Sequence, residues 1–395
     1  MRRIPFFFLL AAALPGQAPQ YTGSAACEPC HSAIYNRWKN TRMANVVRDP
    51  KEHPDAIAPD LTKKDPLVTF TRDDIAFVYG SKWKQRYFKR AGDDYYPLPA
   101  QWDFTHQVWR PYMAAQGSDW WTAFYPADNM QRPTGPLCDG CHSVNYNIDT
   151  RTVTEWNVGC EKCHGPGGEH VRMPSPSNIV NPARLDSVAA NDVCIQCHSQ
   201  GRPVSNPIQG KYYDWPVGFQ LGSTDLADFW KLEEHKLGET SFTHFADGTA
   251  HKNRIQGNDF ASSLMYTHGV TCFSCHDVHG TANNADLLKP ASVMCLECHG
   301  PGSPNGPRAA TIEQHTHHKP GSLGNECIEC HMPKIEQTIA DVNVRSHTFR
   351  FIAPATTDAL KVPNPCTGCH TDKSTQWAAD ALKTWTNFSP WRVAN

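Results

Sequence analysis

Residues 160–168 read CEKCHGPGG, and residues 295–303 read CLECHGPGS. Each holds two cysteines three positions apart followed at once by a histidine, and this C-x-x-C-H unit occurs eight times in a chain of 395 residues. The pairs are Cys27/Cys30, Cys138/Cys141, Cys160/Cys163, Cys194/Cys197, Cys272/Cys275, Cys295/Cys298, Cys327/Cys330 and Cys366/Cys369. The histidines behind them are His31, His142, His164, His198, His276, His299, His331 and His370. With 20 histidines in all, chance would place one behind every pair on the order of once in ten to the eleventh. Two thiols at this spacing lie on one side of a helical turn and can add to the two vinyl groups of one haem, while the adjacent histidine turns beneath the ring to ligate iron. Zinc ribbons and thioredoxin-type pairs also use C-x-x-C, but neither needs a histidine after it eight times over. The expected cofactors are eight covalently bound haem c groups, and all 16 cysteines are used in holding them.

Composition agrees with a cofactor-filled interior. Apolar residues make up 39% and charged residues 19%, a lean core for this length, and Pro plus Gly, 31 and 26, are too few for a low-complexity chain. Eight haems leave roughly 47 residues each, so the rings must serve as core for one another. A net charge of -2 with no long run of one sign argues against a nucleic-acid partner.

The opening MRRIPFFFLLAAALPGQAPQ has the basic start, apolar stretch and small residues of a signal peptide over residues 1–18. Its apolar stretch is well short of the roughly 20 residues that span a bilayer, which makes a membrane anchor the weaker reading. No later apolar run reaches spanning length, so a periplasmic or extracellular protein is expected.

The first cysteines of successive units are 111, 22, 34, 78, 23, 32 and 39 residues apart. The recurrence of 22–34 as 23–32, with the shared text quoted above, reads as two related three-haem units, although Gly and Pro commonly follow such turns. The expected layout is a haem 1 segment over 19–65, a β insertion over 66–105, a haem 2–4 triplet over 106–200, a haem-free connector over 201–270, haems 5–8 over 271–371 and a C-terminal helix over 372–395. The insertion, VTFTRDDIAFVYGSKWKQRYFKRAGDDYYPLPAQW, alternates β-branched and aromatic residues between glycines and predicts a small antiparallel sheet. Helices are predicted in AIYNRWKNTRMANVV and in STQWAADALKTW, where Trp377, Ala381 and Trp385 would share a face. The fold class is a multihaem cytochrome c, mainly α and irregular, packed around eight haems, with a β insertion between haems 1 and 2.

The sixth iron ligand separates a carrier from an enzyme, because an open iron can bind substrate. Twelve histidines remain for up to eight distal positions. The leading candidates are His170, His279, one of His315, His317 and His318, and His347. His106, His235, His244, His251 and His268 are ligand or structural residues with equal standing, and His53 is expected in solvent. Met43 and Met265 are either packed core residues or sulfur ligands.

The segments GSAACEPCH with WKNTRMA, CHGPGGEH, GVTCFSCHDVHG, CIECHMP, RSHTFRF and NPCTGCHTDKSTQWAADAL resemble the bacterial multihaem cytochrome family that includes the tetrahaem electron acceptor of hydroxylamine oxidoreductase. An octahaem branch of that family, often fused to tetratricopeptide repeats, is the nearer likeness. The repeats have no counterpart here, so a docking role they carry is not transferred. The resemblance covers residues 21–386 and is looser in the β insertion and in 199–270. It implies that Met43 stands where relatives place an axial ligand, and that His170, His279, the HTHH cluster and His347 are distal ligands. Met265 sits in a family-like context with His268 as competitor.

The leading functional expectation is an electron relay between redox partner proteins or quinol-linked donors. The alternatives are an oxidoreductase of a small nitrogen or sulfur oxyanion at an open haem, and self-assembly into a conductive filament.

Overall fold

The computed structural model describes residues 20–112, 133–283, 285–307 and 309–385. The expected signal peptide and the last ten residues of the expected C-terminal segment lie outside the described residues.

The predicted insertion is a five-stranded antiparallel sheet in sequence order, wider than 66–105: β1 (Val47–Arg48), β2 (Phe77–Tyr79), β3 (Lys84–Ala91), β4 (Asp94–Asp103) and β5 (Val108–Pro111). The two edge strands are too short to show a period of two, and only pairing with β2 and β4 reveals them. Ala91 pairs with Asp94 across a two-residue turn whose Gly92 has φ 63°, the left-handed position such hairpins need. Gly80, φ 90°, lies between β2 and β3, where a Cβ would stand 2.4 Å from the Lys84 carbonyl oxygen.

Alternation along β2 gives the sheet two apolar faces. Val78 joins Ala56, Phe70, Ile75, Tyr87, Leu98, Ala100 and Trp109 in a core of the sheet's own. Phe77 and Tyr79 join Val47 and Phe88 and pack on Cys138 and Trp156, so the second face seats the C-x-x-C-H unit at 138–142. The Tyr79 hydroxyl completes that seat by donating to Asp139 Oδ1 at 2.7 Å.

Beyond the sheet, regular structure is sparse. Three short antiparallel pairs follow: β6 (Ser143–Val144) with β7 (Glu155–Trp156), β8 (Gly201–Pro203) with β9 (Trp230–Leu232), and β10 (Lys334–Ile339) with β11 (Val342–Arg345). The connector over 201–270 is mostly irregular, with helices at Gln256–Ala261 and Leu264–Thr267. Apolar clusters there are small, such as Ile195, Leu226 and Trp230, or Phe245, Ile335, Ile352 and Val362.

The two predicted helices both differ in detail. The first runs Glu28–Trp38, starting inside the first unit and stopping before Met43, which lies in a 3-10 turn, Met43–Asn45. Asn45 Nδ2 donates to the carbonyls of Lys39 and Thr41, both at 2.8 Å, taking acceptors a continuing helix would use. The last helix, Thr375–Lys383, is capped by Ser374, whose hydroxyl accepts from Trp377 N. It buries Ala378 and Leu382, and Trp377 turns instead to His370, with ring centres 5.0 Å apart. Among the described residues no helix is long and apolar enough to cross a membrane.

Candidate haem-attachment sites

Each C-x-x-C-H unit is wound as a single turn. The histidine amide returns to the carbonyl of the first cysteine, at 2.9 Å for His31, 2.8 Å for His198, 3.0 Å for His276 and 2.8 Å for His370. That bond gathers both thiols and the imidazole onto one turn. Helices this short are not stable alone; the helix ends at the histidine in Cys160–His164, Ala291–His299 and Cys327–His331, whereas that of the first unit runs on to Trp38.

The fit to haem is tested by what faces these turns. Cysteine ordinarily ranks among the most buried residues, yet of 16 only Cys141 is buried, and Cys30, Cys298 and Cys369 are exposed. Four of the histidines have a second imidazole opposite them. Ring centres lie 6.4 Å apart for His31 and His170, 6.2 Å for His164 and His279, 6.3 Å for His331 and His315, and 6.2 Å for His370 and His318. Two nitrogens each about 2 Å from a shared metal, with each ring centre about 1.1 Å further out, put the centres about 6.3 Å apart. Direct ring stacking would bring them closer, as with His317 on Trp385 at 4.4 Å. A zinc site needs several converging donors, and no group of three or more His, Cys, Asp or Glu converges among the described residues. The residues fit haem.

Second partners fix which nitrogen is presented. Nδ1 of His164 donates to Val180 O at 2.8 Å, of His276 to Ala285 O at 2.7 Å, of His299 to Asn305 O at 2.8 Å, of His170 to Ser175 O at 3.1 Å and of His318 to Thr316 O at 2.6 Å. A carbonyl only accepts, so Nδ1 carries the proton and Nε2 keeps the lone pair a metal requires. His279 makes the corresponding contact to Asp277 Oδ1 at 3.0 Å. Burial lowers the pKa of His164, His198 and His315 and pushes His142 down to about 4, which keeps these imidazoles neutral.

The other sequence candidates separate. His347 is half-buried by surface yet deep among neighbours, with Nδ1 on Arg345 O at 3.0 Å and its ring in the fields of His276 and then His198. Of the HTHH cluster two histidines face C-x-x-C-H partners rather than one. His317 adopts φ 55° at the end of Ile312–Thr316, so the chain turns between His315 and His318 and His317 is diverted onto Trp385. His106 is not brought to any C-x-x-C-H histidine: its Nδ1 lies 2.8 Å from Asp103 and its Nε2 3.0 Å from Asp341. His251 packs on Phe245 at 4.5 Å, and His235 and His244 face each other at 5.7 Å. His268 is exposed at the end of Leu264–Thr267, which also carries the half-buried Met265, and His53 is exposed as expected. Met43 is half-buried, and its carbonyl accepts from Val158 N at 3.1 Å, two residues ahead of Cys160.

Neighbouring units touch through their thiols. The thiols of Cys27 and Cys160, of Cys141 and Cys197, of Cys194 and Cys272, and of Cys295 and Cys327 lie close enough to perturb one another. Cys163 lies near enough to Cys194 and Cys197 to raise their pKa, Cys298 does so for Cys275, and Cys366 and Cys369 for Cys330. In both supposed triplets the middle and last members lie close, while the first lies against the last in one and against the middle in the other. Their shared GPG text also folds differently, with Gly165 at φ 70° and Gly300 at φ -62°.

Two carboxylates that sequence reading missed bind the first unit to the third. Glu161, inside CEKCH, accepts from Thr22 N at 3.0 Å, Gly23 N at 2.7 Å and Gly167 N at 2.7 Å. Glu155 accepts from Ser24 N at 3.0 Å and Ser24 Oγ at 2.6 Å. The only sequence signal is an acidic residue within a unit, which alone does not identify its partners.

Comparison with known proteins finds multihaem cytochromes. A family model for the doubled CXXCH motif matches residues 266–303, and one for cytochrome c554 and c-prime matches residues 108–165. The multiheme cytochrome MtrA of Shewanella baltica (strain OS185) is 25% identical over 166 residues, 41% of this chain and 47% of that protein, so the match spans about half the length of the curated relative. The outer cell wall cytochrome OcwA shares the fold with a TM-score of 0.73 at 22% identity, over 93% of this chain and 87% of that one. An undecaheme cytochrome from the S-layer of Carboxydothermus ferrireducens gives 0.53 at 16% identity, over 95% of this chain and 62% of that one.

Proposed function

We propose that this chain, a multihaem c-type cytochrome, relays electrons outside the cytoplasm through eight covalently bound haem c groups, taking them from a redox partner protein or quinol-linked donor and passing them to a second partner. The observation that carries the reading is the set of four imidazole pairs at 6.2–6.4 Å, on units linked to one another by thiol contacts. When bound, each haem supplies an iron that gains and loses one electron. The protein's part is to hold ligands neutral, aim their Nε2 atoms and fix the order of attachment.

On this reading His170, His279, His315 and His318 are the distal ligands opposite His31, His164, His331 and His370, and His347 serves the unit of His276. The thiol proximities support an order of units one, three, four, five, six, seven, eight, with unit two branching from unit four. Met43 stays a candidate sulfur ligand on the strength of the family resemblance. Replacing Met43 by Ala should then change the spectrum and raise or lower the potential of one centre only, and an unaltered methionine-to-iron charge-transfer band would remove it from the ligand set.

The relay itself is tested by stopped flow. Protein reduced fully with dithionite and mixed with a soluble ferric chelate should reoxidise to completion, because every centre drains through its neighbours. A fraction of the α-band absorbance that stays reduced in excess oxidant would contradict a continuous relay. The leader-like residues 1–18 support a periplasmic or extracellular location, and the same protein fractionated from cells should appear there.

A further inference from the structure

The connector carries a buried carboxylate that the attachment of haem does not use. Asp214 lies between Tyr213 and Trp215, whose rings pack with Cys141 and Cys197, the touching thiols of units two and four. The segment is clamped there. Asp214 N donates to Pro136 O at 2.9 Å, and Trp215 Nε1 donates to Gly135 O at 2.9 Å. Trp215 also lies so close to Gly140 that a Cβ there would be 1.9 Å from its Cδ2. Asp214 is 1% exposed, and neither carboxylate oxygen has a hydrogen-bond partner among the described residues. A buried carboxylate without donors is costly when ionised, and is stabilised either by positive charge nearby or by a proton.

The charged groups that face Asp214 are Arg254, which favours its ionised form, and Glu233, which opposes it. The same Arg254 acts on His142 and His198, the ligands of units two and four, so carboxylate and both sites share one electrostatic neighbourhood. Arg254 is held at φ 83°, an uncommon backbone state for a side chain of its size. Burial pushes the Asp214 carboxyl up to about 7.

We propose that Asp214 is a redox-linked proton site, which takes one proton from solvent when units two and four together accept an electron and releases it when the electron leaves. The inference rests on the relay reading. An O–H bond forms on Asp214 as a neighbouring ferric iron becomes ferrous, the electron coming from the relay's own donor, and both steps reverse on reoxidation. The sign follows from charge: a reduced iron carries one positive charge fewer, so the ionised carboxylate loses support and the neutral acid gains.

The test is spectroelectrochemical titration of the haem-loaded protein at pH 6, 7 and 8. Part of the wild-type curve should move to lower potential with rising pH, by up to about 59 mV for each tenfold fall in proton concentration. Asp214→Asn should flatten that part at unchanged haem content, and an unaltered slope in this variant overturns the proposal. If the variant does not assemble, the reduced-minus-oxidised infrared spectrum of wild type decides: a protonated-carboxyl C=O band must grow on reduction, and its absence overturns the proposal. Haem content of the wild type, measured as pyridine haemochrome, separates the two readings. Fewer haems than units would count against the relay reading, whereas full loading with pH-independent potentials removes Asp214 alone.

Discussion

Replacing His315 by Ala is expected to convert one centre from low to high spin and to let the reduced protein bind one more equivalent of carbon monoxide than wild type. His315 and His331 face each other with ring planes 8° apart and centres at 6.3 Å. Removing one imidazole leaves a coordination position with no side chain of the same reach. His317 does not substitute, because it is seated on Trp385 beyond a left-handed turn. His318 is engaged opposite His370. The high-spin signal should appear in electron paramagnetic resonance at about one part in eight of the haem, with protein yield nearly preserved. An unchanged low-spin spectrum would show that His315 is not a ligand.

Glu161→Ala should give the largest loss of stability among single surface-distant substitutions. One carboxylate accepts from three backbone N–H groups, on Thr22, Gly23 and Gly167, and the variant leaves all three without it. At about 1–3 kcal/mol for each donor left unsatisfied, the loss is about 3–9 kcal/mol, towards the lower end where water enters. The effect should be local as well as global, because Glu161 holds the chain entering unit one onto unit three, where Cys27 touches Cys160. The checks are thermal unfolding and the yield of fully loaded protein. Glu161→Gln keeps one acceptor oxygen and should recover part of the loss. A variant with wild-type melting and loading would mean that the N-terminal segment is held by Glu155 alone.

How far these features were legible in the sequence depends on the range of the interaction. The eight C-x-x-C-H units are local sequence patterns, so they read directly. The β insertion was legible from alternation in β2, β3 and β4, whereas β1 and β5 are two and four residues long and exist only through pairing with partners distant in sequence. The helix expected through Met43 stops at Trp38 because Asn45 competes for its carbonyls, a side-chain effect that apolar spacing does not register.

The HTHH cluster shows the same limit at the site. Its composition pointed to a distal ligand, but the left-handed residue that sends His315 and His318 to different units is a matter of backbone conformation. The pairing of His170 with His31, and of His279 with His164, joins residues more than a hundred positions apart and follows from topology. Glu161, Asp214 and Arg254 carry no motif, and only burial and partners mark them.

The central claim is that all eight units carry haem on both cysteines. Intact-mass spectrometry of the purified protein under denaturing conditions tests it most directly, since only covalent attachment survives. The account predicts one dominant species heavier than the processed polypeptide by eight haem masses, and a dominant species carrying seven or fewer would contradict it.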